Sequence, residues 1–116
     1  MESSENISDY IDVDDALSRI GGNMGLYKKL LARFLEGNHF EAVEGALNSG
    51  DLSEASQLAH TLKGVSANLS LKKINLLTVD LEQLLKSNSD YSSCLEELKQ
   101  AYAVTTEKIM EMTGSI

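Results

Sequence analysis

The sequence predicts an all-α fold, an antiparallel four-helix bundle with a short additional N-terminal helix. The chain has 116 residues and no proline, so no residue forces a helix to break. Apolar residues recur at helical spacing in several segments, and short polar connections separate those segments. Short connections are typical of neighbouring antiparallel helices. We therefore expect a flexible N-terminal tail at residues 1–9 and one helical bundle domain at residues 10–116.

A short first helix is expected to begin after Asp12, whose carboxylate can accept hydrogen bonds from the first backbone amides. Gly21 and Gly22 end it, because glycine readily adopts the left-handed conformation common at helix C-termini. Its buried positions follow the helical period: Val13, Ala16, Leu17 and Ile20. Asn23 can cap a second helix. That helix has its own apolar stripe: Tyr27, Leu30, Leu31 and Phe34.

Gly37 and Asn38 interrupt the second helix and either kink it or end it in a tight break. The apolar period resumes at Phe40 and continues to about Asn48, where Ser49-Gly50 closes the segment. This part of the chain is therefore predicted to be helical on both sides of the interruption.

The second half of the chain predicts three more helices. Asp51 is the expected N-cap of a helix that runs to about Asn68, and Ser70 is expected to cap the next one. A polar turn at residues 87–90 precedes the last helix, whose apolar period runs from Tyr91 to Met112. With the segment before Ser49, these helices complete the predicted bundle.

His60 points away from the apolar side of its own helix. At about 100° per residue, the apolar residues gather on one side: Ala55, Leu58, Ala59, Leu62, Val65 and Leu69. His60 falls nearly opposite them, so we expect its imidazole to lie in solvent, with Lys63 one turn away. Gly64 costs a helix about 1 kcal/mol relative to alanine. A glycine here indicates that another molecule approaches the backbone closely.

Charge and composition disfavour several classes of partner. The net charge of −8 and the isoelectric point near 4.6 predict no binding to nucleic acid or to anionic membranes, because both would repel the chain. No apolar run approaches the ~18 residues that a membrane span needs, and residues 1–6 lack the pattern of a secretory signal. Cys94 is the single cysteine, which fits a reducing compartment. We expect a cytoplasmic protein.

A solvent-facing imidazole beside a lysine can accept a phosphoryl group. Neutral imidazole nitrogen is a competent nucleophile near physiological pH, and a nearby ammonium group offsets charge on phosphoryl oxygens. The chain has no glycine-rich phosphate loop and no kinase-like signature. We therefore expect no autonomous kinase activity: a partner would supply the phosphoryl group and another would receive it.

Residues 59–69 resemble the HxxKG signature of histidine-containing phosphotransfer (HPt) domains, with His60, Lys63 and Gly64 at the signature positions. The resemblance extends through residues 20–34, 50–51 and 81–82, and so covers most of residues 11–86. HPt domains are known as helical bundles that carry phosphoryl groups between receiver-domain aspartates in multistep phosphorelays.

By this resemblance His60 is the phosphoacceptor, Lys63 balances charge and Gly64 gives the receiver clearance. The implied docking face is the outer face of the same helix: Ser56, Gln57, Lys63, Gly64 and Ala67. Apolar residues of the first helix, such as Ile11, would border it. The implied partners are receiver domains of response regulators and hybrid sensor kinases. Magnesium would be held by the receiver, and the chain, as a monomer, would need no cofactor or metal of its own.

Two positions depart from the family pattern. Ser70 stands where glycine is frequent between two helices, and we expect serine to cap the next helix without a left-handed backbone. Glu82 stands where some members have a glutamine that helps to orient the site. Glu82 lies off the main apolar stripe, but a carboxylate beside a phosphoryl group would repel it, so no role at the site is predicted for Glu82.

Other interpretations use the same residues. The bundle could be an interaction module that binds a receiver or sensor kinase without accepting phosphate, or His60 could serve as a general base. His39 is predicted to be a helix-surface residue and Cys94 a small core residue, and their spacing from His60 disfavours a zinc site.

Two apolar residues lie off the stripe of their helix. Leu76 and Val79 either pack under the first helix, which we prefer, or form part of a partner surface.

Overall fold

The computed structural model describes residues 7–114 and contains seven helices and no strand within that range. The all-α prediction is confirmed. The helices are α1 (Ile7–Tyr10), α2 (Val13–Arg19), α3 (Met24–Glu36), α4 (His39–Asn48), α5 (Leu52–Asn68), α6 (Lys72–Lys86) and α7 (Ser92–Thr113).

Three predicted N-caps are present as side-chain hydrogen bonds to backbone amides. The Asp12 carboxylate accepts from the amide of Asp15, and the Asp51 carboxylate accepts from the amide of Glu54, both at 3.0 Å. The Asn23 side-chain oxygen caps α3 in the same way. Each cap satisfies an amide that has no partner within its own helix, which is why the chain enters these helices where the sequence predicts.

The interruption at Gly37 and Asn38 is a break between two helices. Asn38 adopts a left-handed backbone with φ of 49°, so the helix cannot continue through it. The amide of His39 then donates to the Tyr102 hydroxyl of α7 at 3.1 Å, and the His39 ring stacks on Phe34. These contacts fix the start of α4 against the last helix.

The helices surround one apolar core. α5 packs against α4 and α6, α6 packs against α7, and α7 packs against α3. The most completely buried side chains come from several helices: Tyr27, Leu31, Val43, Leu62, Ile74, Leu81, Leu98 and Ile109. The helical bundle is confirmed. The antiparallel four-helix arrangement stays a prediction, which the short connections between successive packed helices support.

The turn between α5 and α6 differs from the prediction. Ser70 adopts a left-handed backbone with φ of 57°, and α6 begins at Lys72 with no side-chain cap. The Ser70 hydroxyl instead donates to the Asp15 carboxylate at 2.6 Å, and its carbonyl accepts from the amide of Asp12 at 2.9 Å. The prediction that Ser70 caps α6 is therefore wrong, because its hydroxyl is used to hold α2.

The N-terminal end contains a helical turn that the sequence did not predict. α1 packs against α6 and α7, and the Tyr10 ring lies under the ammonium groups of Lys73 and Lys108. Residues 1–6 of the predicted flexible tail lie outside the described residues, and the domain boundary at residue 10 stays a prediction. Ile11 is 1% exposed, so the prediction that it borders a docking face is wrong.

Within residues 7–114, no helix combines the length and apolar character needed to cross a membrane.

Candidate functional site

His60 faces solvent because the opposite side of α5 packs into the apolar core. Ala55, Ala59 and Leu62 are fully buried, and the two alanines let neighbouring helices approach the α5 backbone closely. The His60 side chain is 69% exposed. The predicted orientation of His60 is therefore confirmed by the packing of its own helix.

A buried carboxylate of α6 contacts both His60 and Lys63. One oxygen of Glu82 lies 3.1 Å from Nδ1 of His60, and the other accepts from the Lys63 ammonium at 2.8 Å. The Glu82 side chain is 8% exposed, and the Lys63 side chain is 34% exposed. The structure thus joins the three side chains into one hydrogen-bonded cluster, which we call the His60 cluster (His60, Lys63 and Glu82).

The electrostatics of the His60 cluster keep Glu82 ionised. The hydrogen bond from Lys63 is the largest cause that lowers the pKa of Glu82 below its usual range, and the hydrogen bond from His60 acts in the same direction. Burial opposes both by disfavouring the charged form. Lys86, one turn further along α6, adds a longer contact at 3.8 Å. A buried anion is tolerated here because cations and donors surround it.

The contact with Glu82 also selects a tautomer of the imidazole. An ionised carboxylate only accepts hydrogen bonds, so the neutral His60 ring next to it carries its proton on Nδ1. Nε2 then holds the free lone pair. Chemically, the arrangement offers a neutral nitrogen nucleophile on an exposed side chain, with a carboxylate behind the ring and an ammonium group beside it.

The α5 backbone beneath the His60 cluster is held by a second α6 side chain. The Asn75 amide donates to the carbonyl of Lys63 at 3.0 Å, and the buried Ser66 hydroxyl donates to the same carbonyl at 3.1 Å. The Asn75 bond links the helix turn that carries Lys63 to α6, the helix of Glu82.

The predicted docking residues share the outer side of α5. Gln57, Gly64 and Ala67 are exposed, whereas Ser56 is half-buried. Ser56 and Gln57 line a shallow depression together with His60 and Glu82, but Gly64 and Ala67 lie outside that depression, further along the helix. The structure therefore brings the first pair to the imidazole and places the second pair on adjoining surface.

Gly64 has open space where a side chain would project. A Cβ added there would meet no atom within 4 Å, apart from the helix's own nearby backbone. Its φ is not in the left-handed range, so the backbone of α5 does not require glycine at this position. The glycine has no structural reason within the described chain, which is consistent with the prediction that it gives clearance to another molecule.

Sequence reasoning missed two residues of this region, Glu82 and Asn75. Glu82 is 6% exposed, and it was given no role because a carboxylate would repel a phosphoryl group. One signal could have found it. Glu82 follows the buried Thr78 by four residues and precedes Lys86 by four, so it lies at the edge of the buried side with a cation in reach. The prediction that Glu82 has no role at the site is therefore wrong, since the carboxylate is part of the His60 cluster.

The remaining candidate residues lie elsewhere. His39 is half-buried at the start of α4, not a surface residue as predicted, and burial lowers its pKa. Cys94 is half-buried and its thiol donates to the carbonyl of Leu77 at 3.4 Å. Among residues 7–114, no group of three or more potential ligands could hold a metal ion.

The two off-stripe residues of α6 are exposed. Leu76 is 61% exposed and Val79 is 37% exposed. The preferred interpretation, that they pack under the first helix, is therefore wrong, and a partner surface stays a prediction.

Comparison with known proteins gives one match. The model of a protein family described as the Hpt domain matches residues 29–107, which include all three residues of the His60 cluster. No curated protein and no solved structure matches the chain significantly.

Proposed function

Because the chain belongs to the Hpt domain family, whose members carry out histidine phosphotransfer in two-component signalling, we propose that His60 is the residue that accepts the phosphoryl group. The donor in this proposal is the phosphorylated aspartate of a receiver domain, and a second receiver takes the group onward. The observation that carries the proposal is the contact between Nδ1 of His60 and Glu82, since it leaves Nε2 free and exposed.

The transfer step follows from the tautomer of the ring. The Nε2 lone pair attacks the phosphorus of the aspartyl phosphate, the N–P bond forms, and the P–O bond to the receiver breaks. The electron pair of that bond leaves with the receiver's carboxylate. The proton on Nδ1 stays in its hydrogen bond to Glu82, so no proton has to move during the step.

Glu82 and Lys63 have distinct roles in this proposal. Glu82 orients the ring and stabilises positive charge that develops on the imidazole as Nε2 forms its bond. Lys63 neutralises Glu82 in the free protein, and its ammonium group lies within the His60 cluster. Its proximity reduces the repulsion between the Glu82 carboxylate and the incoming phosphoryl group, which was the argument against a carboxylate at this site.

The partner completes the chemistry. A phosphoaspartate site needs a divalent cation to balance its oxygens, and we expect magnesium on the receiver, with no cofactor bound by this chain. The outer side of α5, including Ser56, Gln57, Gly64 and Ala67, is the proposed docking face. We further propose that the chain acts as a monomer in the cytoplasm.

Transfer from a labelled receiver tests this function. A receiver domain phosphorylated with a labelled phosphodonor is mixed with the chain in the presence of magnesium. We expect acid-labile label to appear on the parent chain and no label on His60→Gln. His39→Gln is the control, because it changes the other histidine of the chain, and acid-labile label should still appear on it at saturating receiver.

Two outcomes would contradict the proposal. Equal labelling of His60→Gln and the parent would show that another residue accepts the phosphoryl group. A stable complex with receivers and no labelling of the parent by any of them would support the interaction module instead.

A further inference from the structure

An apolar groove lies between α2, α3, α4 and α5, on the flank of the helix that carries His60. Five apolar side chains line it: Ile20, Leu30, Phe34, Val65 and Leu69. Phe34 and Leu69 are buried, but the other three are only half-buried. The groove therefore leaves some apolar surface in contact with water.

Both arginines of the chain line the same groove. Arg19 and Arg33 are the only arginines in a sequence with 18 acidic and 10 basic residues. We call this surface the arginine groove: the five apolar residues above together with Arg19 and Arg33. The two guanidinium groups give the arginine groove positive charge, whereas the chain as a whole has a net charge of −8.

The two guanidinium groups differ in their partners. Arg19 is paired with the Asp15 carboxylate at 3.2 Å. Arg33 is exposed and, among residues 7–114, has no ion pair or hydrogen bond from its side chain. The groove therefore offers an unpaired cation next to an apolar floor, a combination that suits an apolar side chain with a carboxylate beside it.

The arginine groove is continuous with the proposed docking face. Asn68 lines the groove and follows Gly64 by one helical turn on the same side of α5. At 1.5 Å per residue, Asn68 lies about 12 Å along the helix from His60. An interface of standard size covers about 800 Å² on each partner, equivalent to a disc with a radius of about 16 Å. The edge of the groove at Asn68 therefore lies within the radius of an interface of that size centred on His60.

We propose that the arginine groove is a second contact site for the receiver, in which an apolar receiver side chain enters the groove and an adjacent carboxylate pairs with Arg33. This inference rests on the proposed function, because it names the partner that docks at His60. The apolar walls exclude water from the ion pair, and this strengthens a guanidinium–carboxylate pair that would contribute little in open solvent. Receivers with a basic residue at that position are disfavoured by repulsion, so the groove selects among receivers.

Charge reversal at Arg33 tests the proposal. A panel of phosphorylated receiver domains first identifies the one that transfers fastest to the parent chain. With that receiver, Arg33→Glu should raise the half-saturating receiver concentration about tenfold, or about 1.4 kcal/mol, because like charges then face each other across the interface. The rate at saturating receiver should stay the same, since Arg33 does not contact the His60 cluster. Labelling of His60 by phosphoramidate, which needs no docking, should also be unchanged.

Lys99→Glu is the matched control. It makes the same change in net charge on an exposed α7 residue that does not line the groove, so it reports long-range electrostatics alone. A tenfold effect of Arg33→Glu and a small effect of Lys99→Glu would support the proposal. Equal half-saturating concentrations for Arg33→Glu and the parent, or equal effects of the two variants, would overturn it. If no receiver labels the parent chain, the proposed function is wrong. The proposal that a receiver occupies the groove is then wrong as well.

Discussion

His60 and Lys63 share one carboxylate, so a single buried acid contacts both the ring and the cation of the His60 cluster. Glu82 cannot move without changing both contacts. The ring orientation, the proton position on Nδ1 and the position of the ammonium group are consequently linked. In the proposed function, this linkage holds Nε2 ready for attack while the anion behind the ring stays neutralised.

Replacing Glu82 by alanine should slow phosphotransfer. Hydrogen bonds to charged groups contribute about 1.5 to 3 kcal/mol, and the exposure of His60 places this one at the lower end. We expect the transfer rate at saturating receiver to fall about tenfold for Glu82→Ala, because the tautomer is no longer fixed. Single-turnover transfer from a phosphorylated receiver measures this rate.

Asp80→Ala is the control for the Glu82 variant. It removes an exposed carboxylate from the same helix and should leave the transfer rate unchanged. A Glu82→Ala rate equal to or above that of the parent would mean that the carboxylate does not assist the reaction.

The residues of the His60 cluster differed in how far the sequence could predict them. The orientation of His60 follows from the apolar period of α5 alone, and Lys63 lies within one turn on the same helix. Glu82 belongs to another helix, and whether a carboxylate is buried depends on cations that only the fold brings near it. Helical periodicity contains no information about such contacts between helices.

Among the helices, the turn at residues 69–71 holds three elements together. The Tyr27 hydroxyl of α3 donates to the carbonyl of Leu69 at 2.7 Å, and the amide of Asp12, before α2, donates to the carbonyl of Ser70. Ser70 has a left-handed backbone at the centre of this turn. The turn therefore fixes α2 beside α5, the helix that carries His60.

The left-handed backbone should reverse the usual order of alanine and glycine at residue 70. A left-handed backbone costs any residue other than glycine roughly 1 to 2 kcal/mol. The greater freedom of glycine in the unfolded chain offsets about 0.4 to 1 kcal/mol of that difference. Both substitutions remove the hydroxyl, so we expect Ser70→Gly to be more stable than Ser70→Ala by about 0.5 kcal/mol in urea unfolding.

Ser93 provides the matched comparison, because it is exposed within helix α7. There alanine should be more stable than glycine by up to about 1 kcal/mol. If the alanine and glycine variants had the same order of stability at residues 70 and 93, the left-handed backbone of Ser70 would not be the cause.

Helix ends were predictable where a side chain caps its own helix, as at Asp12, Asn23 and Asp51. Ser70 has the same residue type as a common cap, yet its hydroxyl bonds to Asp15, 55 residues away in the sequence. α1 has only four residues, too few to produce a helical period. Local patterns therefore predicted local contacts and failed where a distant partner decides the conformation.

For the whole molecule, one half-buried histidine links stability to pH. Burial lowers the pKa of His39 from its ordinary value of 6.5, because its ring packs between Phe34 and the backbone of Gly37. Below pH 6.5 the unfolded chain therefore binds this proton before the folded chain does. Stability is lost as the pH falls from 6.5 towards the lowered pKa, and above 6.5 the effect vanishes.

His39→Phe should reduce this loss of stability in acid. Phenylalanine keeps an aromatic ring against Phe34 but cannot bind a proton. Urea unfolding from about pH 8 to about pH 5 should show a smaller decrease in the free energy of unfolding for His39→Phe than for the parent. Parallel pH profiles of the two proteins would contradict the burial of His39 as the cause.

At this scale the sequence predicted the fold class and the central helix, because the absence of proline and the repeated apolar period are properties of the whole chain. It did not predict which helices contact each other. The break at Asn38, the contact of His39 with Tyr102 and the arginine groove all depend on the packing of α3 and α4 against α7 and α5. Such packing is decided by the shapes of complementary surfaces.

The most direct test of the account is the identity of the phosphorylated atom. The ¹⁵N-labelled chain is phosphorylated by a receiver, and the coupling between phosphorus and the imidazole nitrogens is measured by NMR. We predict phosphorus on Nε2 of His60, with the proton retained on Nδ1 beside Glu82. Phosphorus on Nδ1, or on any residue other than His60, would contradict the central claim that Glu82 holds the ring and leaves Nε2 to react.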